Sequence, residues 1–504
     1  MATKISGLGS ATNIGASDLI QVVDVNDTTM AVTGTNKKAT AQVVGNNLPV
    51  IATGSTTSRK LKDRFADTVN VKDFGAAGDG IQDDTAAIQA AIDSGAEKVI
   101  ATKGIYRITN TLSIVTAKSF ELDFNNFTLH LDDSTGLKSH IKLGNGITQQ
   151  YSKLENIVFT RQQVATSGYA IDSDFIGVTN ITGCRIYGNN KIHGGIKIYR
   201  GIQIAICDNY IDNCVNHSIY LEGSGAGANK TTDVIIRDNR IDGSVNALNS
   251  WDFTEGVFCR GNIFYGTTGY AVTANASSNA NGLSSFKFEG NDFDTSGGGG
   301  LYLDNISNIV VADCWFSSNT LDDIQIKSNV DGCIISSNQF YPTNNGISIE
   351  GVNTVITGNL ISGGQASIEL LNSASNTSIN GNSFQGAQNA VKLATAQNTH
   401  LVGNLISGVI STISGNGGTG TVIQNNKGDS AVGTNAYITV GSSPFTYTSG
   451  SRPEYVSVFS GTVSQINLGA NSIGFTSNRD VVLAPNQSVT ITYSSIPFMV
   501  KNYL

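Results

Sequence analysis

Acids and aromatic residues fall at one repeated place in this chain, and chemistry is sought there first. From residue 169 onward, short stretches alternate apolar and other residues, as in YAIDSD, GGIKIYR and HSIYLE. In such strands the apolar residues point inward and the intervening ones outward. One outward row then runs Asp172, Lys197, Tyr220, Asn249, Thr273, Tyr302 and Gln325. The adjacent row runs Asp174, Tyr199, Glu222, Trp251, Asn275, Asp304, Lys327 and Glu350. Aromatic rings stack on the C–H faces of sugars, while carboxylates bond hydroxyls and act as acid and base, so this combination suits a polysaccharide groove. The candidate catalytic acids are Asp174, Glu222, Asp252, Glu255 and Asp304, and the candidate substrate contacts are Tyr199, Arg200, Tyr220, Trp251 and Tyr302.

Spacing selects among reactions. Asp174 and Glu222 are expected two rungs apart, about 9 to 10 Å at β-strand spacing. Inverting glycosidases hold their carboxyl groups about 6.5 to 9.5 Å apart and retaining ones about 5 to 5.5 Å, so inversion is expected of this pair. Residues 243–261 read as a longer loop that hangs Trp251, Asp252 and Glu255 over the same groove. His193 and His217 lie near the face. A β-elimination on uronic acids needs a base such as His, Lys or Tyr, and Lys197, Tyr199 and Arg200 are at hand, with Arg suited to hold a uronate. Hydrolysis is favoured over elimination, and both stay open. The competing reading for each of these residues is ordinary solvated surface. No dense oxygen cluster of the kind Ca²⁺ needs is visible, and neither a metal nor a cofactor is expected.

A regular scaffold must position these rows, and the sequence carries its period. One phrase recurs: Gly or Asp, then Asn, any residue, then Ile or Phe. It reads DNYI at Asp208, DNRI at Asp238, GNIF at Gly261, GNDF at Gly290, SNQF at Ser337, GNLI at Gly358, GNSF at Gly381 and GNLI at Gly403. Cys184 and Cys314 take the Asn position in GCRI and DCWF, and Asn425 marks a last, degraded copy. Spacings of roughly 21 to 30 residues are a solenoid period. Two alternating strands per repeat with no helical pattern between them imply a parallel β-helix, right-handed given the long, variable coils. The Asn column is expected to form an internal ladder, and eleven to thirteen rungs at about 4.8 Å give a rod of roughly 50 to 60 Å.

Ahead of the repeats, Asp84 or Thr85 is a plausible helix N-cap, Ile88, Ala91 and Ile92 share one face, and Gly95 sits at C′. A short helix there is expected to cap the first coil. The stretch Val71-Lys72-Asp73-Phe74-Gly75-Ala76-Ala77-Gly78-Asp79-Gly80, followed by Asp83-Asp84-Thr85-Ala86-Ala87-Ile88-Gln89, resembles the opening motif of the pectate-lyase-like superfamily of right-handed β-helices. That motif is common in bacteriophage tailspikes as well as in pectinases. A polygalacturonase would carry an NTD segment, an Asp-Asp pair and a Gly-His-Gly segment in successive coils. Only Asp322-Asp323 and Ile192-His193-Gly194-Gly195 are found, so pectin degradation is not expected.

The segment SDLIQVVDVNDTTMAVTGTNKKATAQVV is similar to the amino-terminal part of many phage tail fibre and tailspike proteins, where it attaches the spike to the virion. Residues 54–68 read as a neck. After Asn425 the period is lost, and the strands AYITV, YVSVFS, VSQINL, SIGFT, VVLAP and SVTITYS suit a small antiparallel sandwich. The expected organisation is residues 1–60 as virion anchor, 61–110 as capping helix and entrance to the solenoid, 111–427 as parallel β-helix, and 428–504 as carboxy-terminal trimerisation module. The resemblance implies a homotrimeric tailspike, made in the host cytoplasm and carried on the virion tail. It would attach to phage tail or baseplate proteins through residues 1–60, and bind and depolymerise a host surface polysaccharide. The alternative is a receptor-binding or structural tail protein that holds glycan without cutting it.

Composition narrows the field further. Charged residues are 14% of the chain, Gly numbers 56 and Pro 6, which rules out a mainly helical protein. The net charge of -8 argues against a general nucleic-acid binder, and no apolar stretch approaches a membrane span. The six cysteines show no metal-type pairing and read as buried, reduced thiols.

Overall fold

Period-2 apolar alternation broken by Gly, Asn and Asp turns yields short strands that can bury only one face, so each coil must stack on the next. The computed structural model describes residues 19–24, 35–115, 119–146, 150–225, 227–429, 436–474 and 478–503. In it, 38 strands join one hydrogen-bonded assembly from Thr68–Asn70 to Val422–Gln424. Its pairings are parallel, and each strand meets its counterpart one coil later. Thus His217–Glu222 pairs with Asn246–Ser250, Thr231–Arg237 with Thr254–Arg260, and Arg240–Asp242 with Ile263–Tyr265. Each coil therefore has three faces. The ladder reaches back to Thr68, ahead of the capping helix.

The inward column Ile196, Ile219, Leu248, Val272, Leu301, Ile324, Ile347, Ile368 and Val391 is fully buried. Each such side chain is worth about 1.5 to 3 kcal/mol of burial. On another face Phe264, Phe293, Phe316 and Phe340 stack with ring centroids 5.2, 4.7 and 4.6 Å apart. All six cysteines are free and buried.

The Asn column forms the expected ladder. Asn262 Nδ2 donates to Ile236 O (2.8 Å) and to Asn291 Oδ1 (2.9 Å), while its own Oδ1 accepts from Asn239 N (3.0 Å) and Asn239 Nδ2 (2.9 Å). The same pattern runs from Asn338 through Asn359 and Asn382 to Asn404. The last rung is Asn426, which accepts from Asn404 N and Nδ2, and not Asn425. Asn425 instead takes the left-handed conformation (φ 55°) that Asp208, Asp238, Asp313 and Ser337 adopt just before their own ladder residues. Cys314 is a weak link, because Asn291 N meets only its Sγ, at 3.5 Å.

The helix Thr85–Asp93 buries Ile88, Ala91 and Ile92 against the first coils. Asp84 precedes it, and its carboxylate accepts from Ala77 N (2.7 Å) and Gly78 N (3.1 Å) rather than from the helix itself. Two four-stranded antiparallel sheets form the carboxy-terminal module around Val456, Val458, Ile466, Leu483, Ile491 and Met499. It closes on the last coil through Arg452 with Asp429 and through Asn486 Nδ2, which donates to Thr421 O at 2.9 Å. At the other end Leu19–Asp24 pairs with Thr35–Thr40, and Pro49–Ile51 with Ser58–Lys60. The rest of the expected anchor, residues 1–18 and 25–34, lies outside the described residues. Among the described residues no helix is long and apolar enough to cross a membrane.

The ladder makes a quantitative prediction. Asn262→Ala orphans the Asn239 N–H and the Ile236 carbonyl, and two unpaired buried groups at about 1 to 3 kcal/mol each should cost roughly 2 to 6 kcal/mol. Cys314→Asn restores the missing amide and should raise the melting temperature. Thermal unfolding of both variants beside the parent checks the pair, and an unchanged Asn262→Ala would remove the ladder from the account.

Candidate functional site

The strands Tyr169–Thr182, Gly194–Cys207, His217–Glu222 and Asn246–Ser250 stack in register on one face. Asp172, Lys197, Tyr220 and Asn249 line one outward row, and Asp174, Tyr199 and Glu222 the next. The inward turn of Ile171, Ile196, Ile198, Ile219 and Leu221 forces this arrangement, because a one-residue slip would expose them all. The first row continues through Thr273, Tyr302 and Gln325, as the alternation predicts.

Tyr169 begins the first of these strands and leans over its neighbour. A Cβ at Gly194 would lie 2.2 Å from the Tyr169 ring, so only glycine leaves room for it. The ring meets His193 edge-on with centroids 5.8 Å apart. Lys197 Nζ then stands 5.9, 5.6 and 6.0 Å from the ring centres of Tyr169, Tyr199 and Tyr220. Among the described residues Lys197 forms no ion pair. It is a half-buried cation walled by three aromatic rings.

Carboxyl groups flank this cation. Burial raises Asp172 from its ordinary value, and Lys197 and Lys142 pull it back down in part. Glu222 is likewise raised by burial, opposed by Lys197 and by a hydrogen bond with Tyr220, and reinforced by Asp252. Burial keeps Tyr169 and Tyr220 protonated well beyond the ordinary phenol range. His217 is pushed down to about 4 by burial and is neutral at pH 7. Its Nε2 accepts from Asn249 Nδ2 at 3.2 Å, and its ring stacks on Tyr220 with centroids 5.6 Å apart. His193 is lowered by burial as well. The site therefore offers two carboxyls biased toward protonation, neutral imidazoles, phenol donors and one unpaired ammonium.

The expected acids are placed unequally. Asp174 and Glu222 do stand two rungs apart, with Tyr199 between them. Asp174, however, is bound by Arg200, whose Nε and Nη2 donate to its Oδ1 at 2.9 and 2.5 Å. Arg200 reaches back because it sits at the coil corner with φ 55°, and its guanidinium packs over Tyr199 and Phe175. Asp252 accepts from Ser277 N, Ser277 Oγ and Asn281 Nδ2, and so pins residues 276–282. Asp304 accepts from Asn305 N and Asn329 Nδ2.

The expectation of an overhanging loop at residues 243–261 is corrected. Those residues form Asn246–Ser250 and Thr254–Arg260, held in the coil by buried Leu248, Val257 and Cys259. Glu255 lies past the corner on the next face, paired with Lys230 at 2.5 Å. Trp251 stays at the end of Asn246–Ser250, one rung beyond Glu222. Tyr302 lies four rungs from Lys197 in the same row. Asp172 and Lys197, expected in the outward row but not among the candidate catalytic acids or substrate contacts, complete the site together with Tyr169, which the sequence reading did not name. The readable signal was the GYAID segment followed one coil later by HGGIK.

A separate group of acids lies near the first coils. Glu121, Asp123 and Glu155 bring ligand atoms within 4.8 Å of one another. Lys98 sits among all three and Lys153 adds a second cation beside Glu121 and Glu155, so ammonium groups already hold the place of a metal.

Comparison with known proteins bears on the fold. The description "right handed beta helix region" matches residues 246–406. Two mannuronan C5-epimerases of Azotobacter vinelandii, AlgE2 and AlgE1, are 28% and 27% identical over 282 residues, 51% of this chain. The chain spans a quarter or less of their own length. The tailspike of the E. coli bacteriophage HK620, solved in complex with a pentasaccharide, superposes with a TM-score of 0.52 at 12% identity, covering 91% of this chain and 97% of that one. The chain is a right-handed parallel β-helix.

The Asp322-Asp323 pair is not a pair on the face. Asp322 accepts from Asn344 Nδ2 (2.7 Å) and Ser348 Oγ (2.6 Å), whereas Asp323 turns inward, fully buried, in the column of small residues that holds Gly300 and Gly346. Asn319 donates to its Oδ1 at 2.7 Å, its Oδ2 has no partner, and burial lifts it from 3.8 to about 8. The folded chain thus keeps a proton that the unfolded chain releases above pH 4. Stability should fall as pH rises from about 4 to about 8 and level off above. Asp323→Asn should remove that decline and melt higher than the parent at pH 8.5, with the two alike near pH 4. Melting curves across this range decide it.

Proposed function

We propose that this right-handed β-helix binds a polysaccharide along the face carrying Tyr169, Asp172, Lys197, Tyr220 and Glu222, and cleaves it there. The observation that carries the reading is the unpaired Lys197, ringed by three tyrosines and flanked by two carboxyl groups that burial biases toward protonation. In a hydrolysis, the carboxyl that keeps its proton donates it to the glycosidic oxygen. The other, ionised beside Lys197, takes a proton from the attacking water. Asp172 and Glu222 are two rungs and one row apart. Two rungs combined with two residues along the strand put their backbone positions about 12 Å apart, far beyond a retaining pair, so side chains reaching toward each other would match the wider inverting spacing that leaves room for a water.

Lys197 also supports an acidic sugar as ligand, and mannuronan, the polymer in the names of the sequence relatives, is one. That match favours a second reading, removal of the C5 proton of a uronate. Lys197 would neutralise charge building on the carboxylate while a neutral histidine or an ionised carboxyl takes the proton. Return of a proton from the opposite side inverts C5, and loss of the C4 oxygen breaks the chain. The HK620 tailspike, which holds a pentasaccharide, shares the coil arrangement. We extend the proposal to a tailspike role: residues 1–60 attach to a phage tail or baseplate, residues 428–504 hold three copies together, and the spike acts at the host surface.

The test is incubation of the full chain with polymannuronate, polygalacturonate and O-antigen polysaccharide, followed by product analysis. New reducing ends without unsaturation mean hydrolysis, an unsaturated uronate means elimination, and altered C5 configuration without scission means epimerisation. Asp172→Asn and Glu222→Gln should each lower turnover by about 10² or more while binding persists. A wild-type chain that binds glycan and alters none would favour the non-cutting receptor-binding protein.

A further inference from the structure

The same outward row carries a second aromatic platform. Four rungs beyond Lys197, Tyr302 meets Tyr270 with ring centroids 5.4 Å apart at 60°. Tyr270 OH donates to Gln325 Oε1 at 3.0 Å, which leaves the Gln325 Nε2 end unpaired among the described residues. Neighbouring charges here are spoken for: Lys327 pairs with Glu350, and Asp304 accepts from Asn305 and Asn329. The rings and amide of this platform are themselves neutral, with the Asp304 and Asp322 carboxylates nearby, and among the described residues it lacks the open ammonium of the first. Between the two lie Asn249, Thr273 and Asn275, and the buried Asn249 Oδ1 and Asn275 Oδ1 have no partner among the described residues. No bulky side chain interrupts the row between Tyr220 and Tyr302.

Resting on the reading of the Lys197 cluster as a polysaccharide site, we propose that the face is one continuous track with two grips. The reacting grip at Lys197 reads charge, and a distal grip at Tyr270, Tyr302 and Gln325 holds the same polymer about 19 Å away by ring stacking and amide bonding. The ligand class is accordingly a long, acidic polysaccharide engaged through its interior. A fragment too short to span both grips is held by one of them only. Once one grip is occupied, the other binds at a high effective concentration, so affinity climbs steeply at the length that first bridges them.

The experiment titrates the full chain with polymannuronate cut to graded lengths, by calorimetry. Wild-type affinity should rise with length in two stages, the second by about tenfold or more. In Tyr302→Ala the second stage should vanish, so that long chains bind no better than short fragments. Tyr302→Phe keeps the ring and should retain the second stage, which separates loss of stacking from loss of fold. Wild-type binding that lengthens in affinity equally well in Tyr302→Ala overturns the distal grip and leaves the Lys197 site standing. Failure of the wild-type chain to bind polymannuronate of any length overturns the acidic-polymer reading and the track with it.

Discussion

Buried backbone at a repeated turn is the constraint on which this molecule depends. Each coil bends inside the rod, where N–H and C=O groups have no water to bond, and an unpaired group there costs about 1 to 3 kcal/mol. The asparagine column answers that demand by giving each turn an amide that bonds the coil before it and the coil after it. Because every rung depends on the one above, the turns are locked in line, and the strands leaving them are locked in register. The left-handed residue just ahead of each ladder position, glycine or a small polar residue, is the local condition for that bend.

Register, once locked, turns a linear pattern into a surface. Side chains at equivalent positions stand about one strand spacing apart along the row, on a backbone too stiff to adjust. Groups from three different coils thereby converge on Lys197: Asp172 from one, Tyr199 from its own, Tyr220 and Glu222 from the next. Partial burial of this patch raises its carboxyls and lowers its imidazoles, while three rings stand around the ammonium. The scaffold thus supplies proximity and partial burial through the strands themselves. The excursion at residues 276–282 that borders the face is tied back by Asp252.

Much of this was legible from residue order. The rows from Asp172 to Gln325 follow from isoleucine and leucine at every second position, since the strand has only two faces and the apolar one must be inside. The cap helix, the buried cysteines, the ladder and the sandwich beyond it follow from equally local signals. The errors were local too. Asn425 and Asn426 are adjacent amides, and only the turn geometry shows which bonds the rung below. Residues 243–261 looked like a loop because their apolar alternation is short, yet burial of Leu248 and Val257 makes them two strands around a corner.

The amino-acid sequence by itself determined the solenoid, its period and which residues face outward, because those depend on alternation and turn chemistry within a few residues. Tertiary structure decided which outward groups are free to act. Asp172 and Asp174 are two residues apart on one strand and look alike in sequence. Yet a corner arginine with a left-handed backbone folds onto Asp174, and the lysine one rung above Asp172 is left unpaired among tyrosines. Such pairings join residues a full coil apart around a bend. Their outcome depends on the direction of side chains across that bend, which no local pattern encodes.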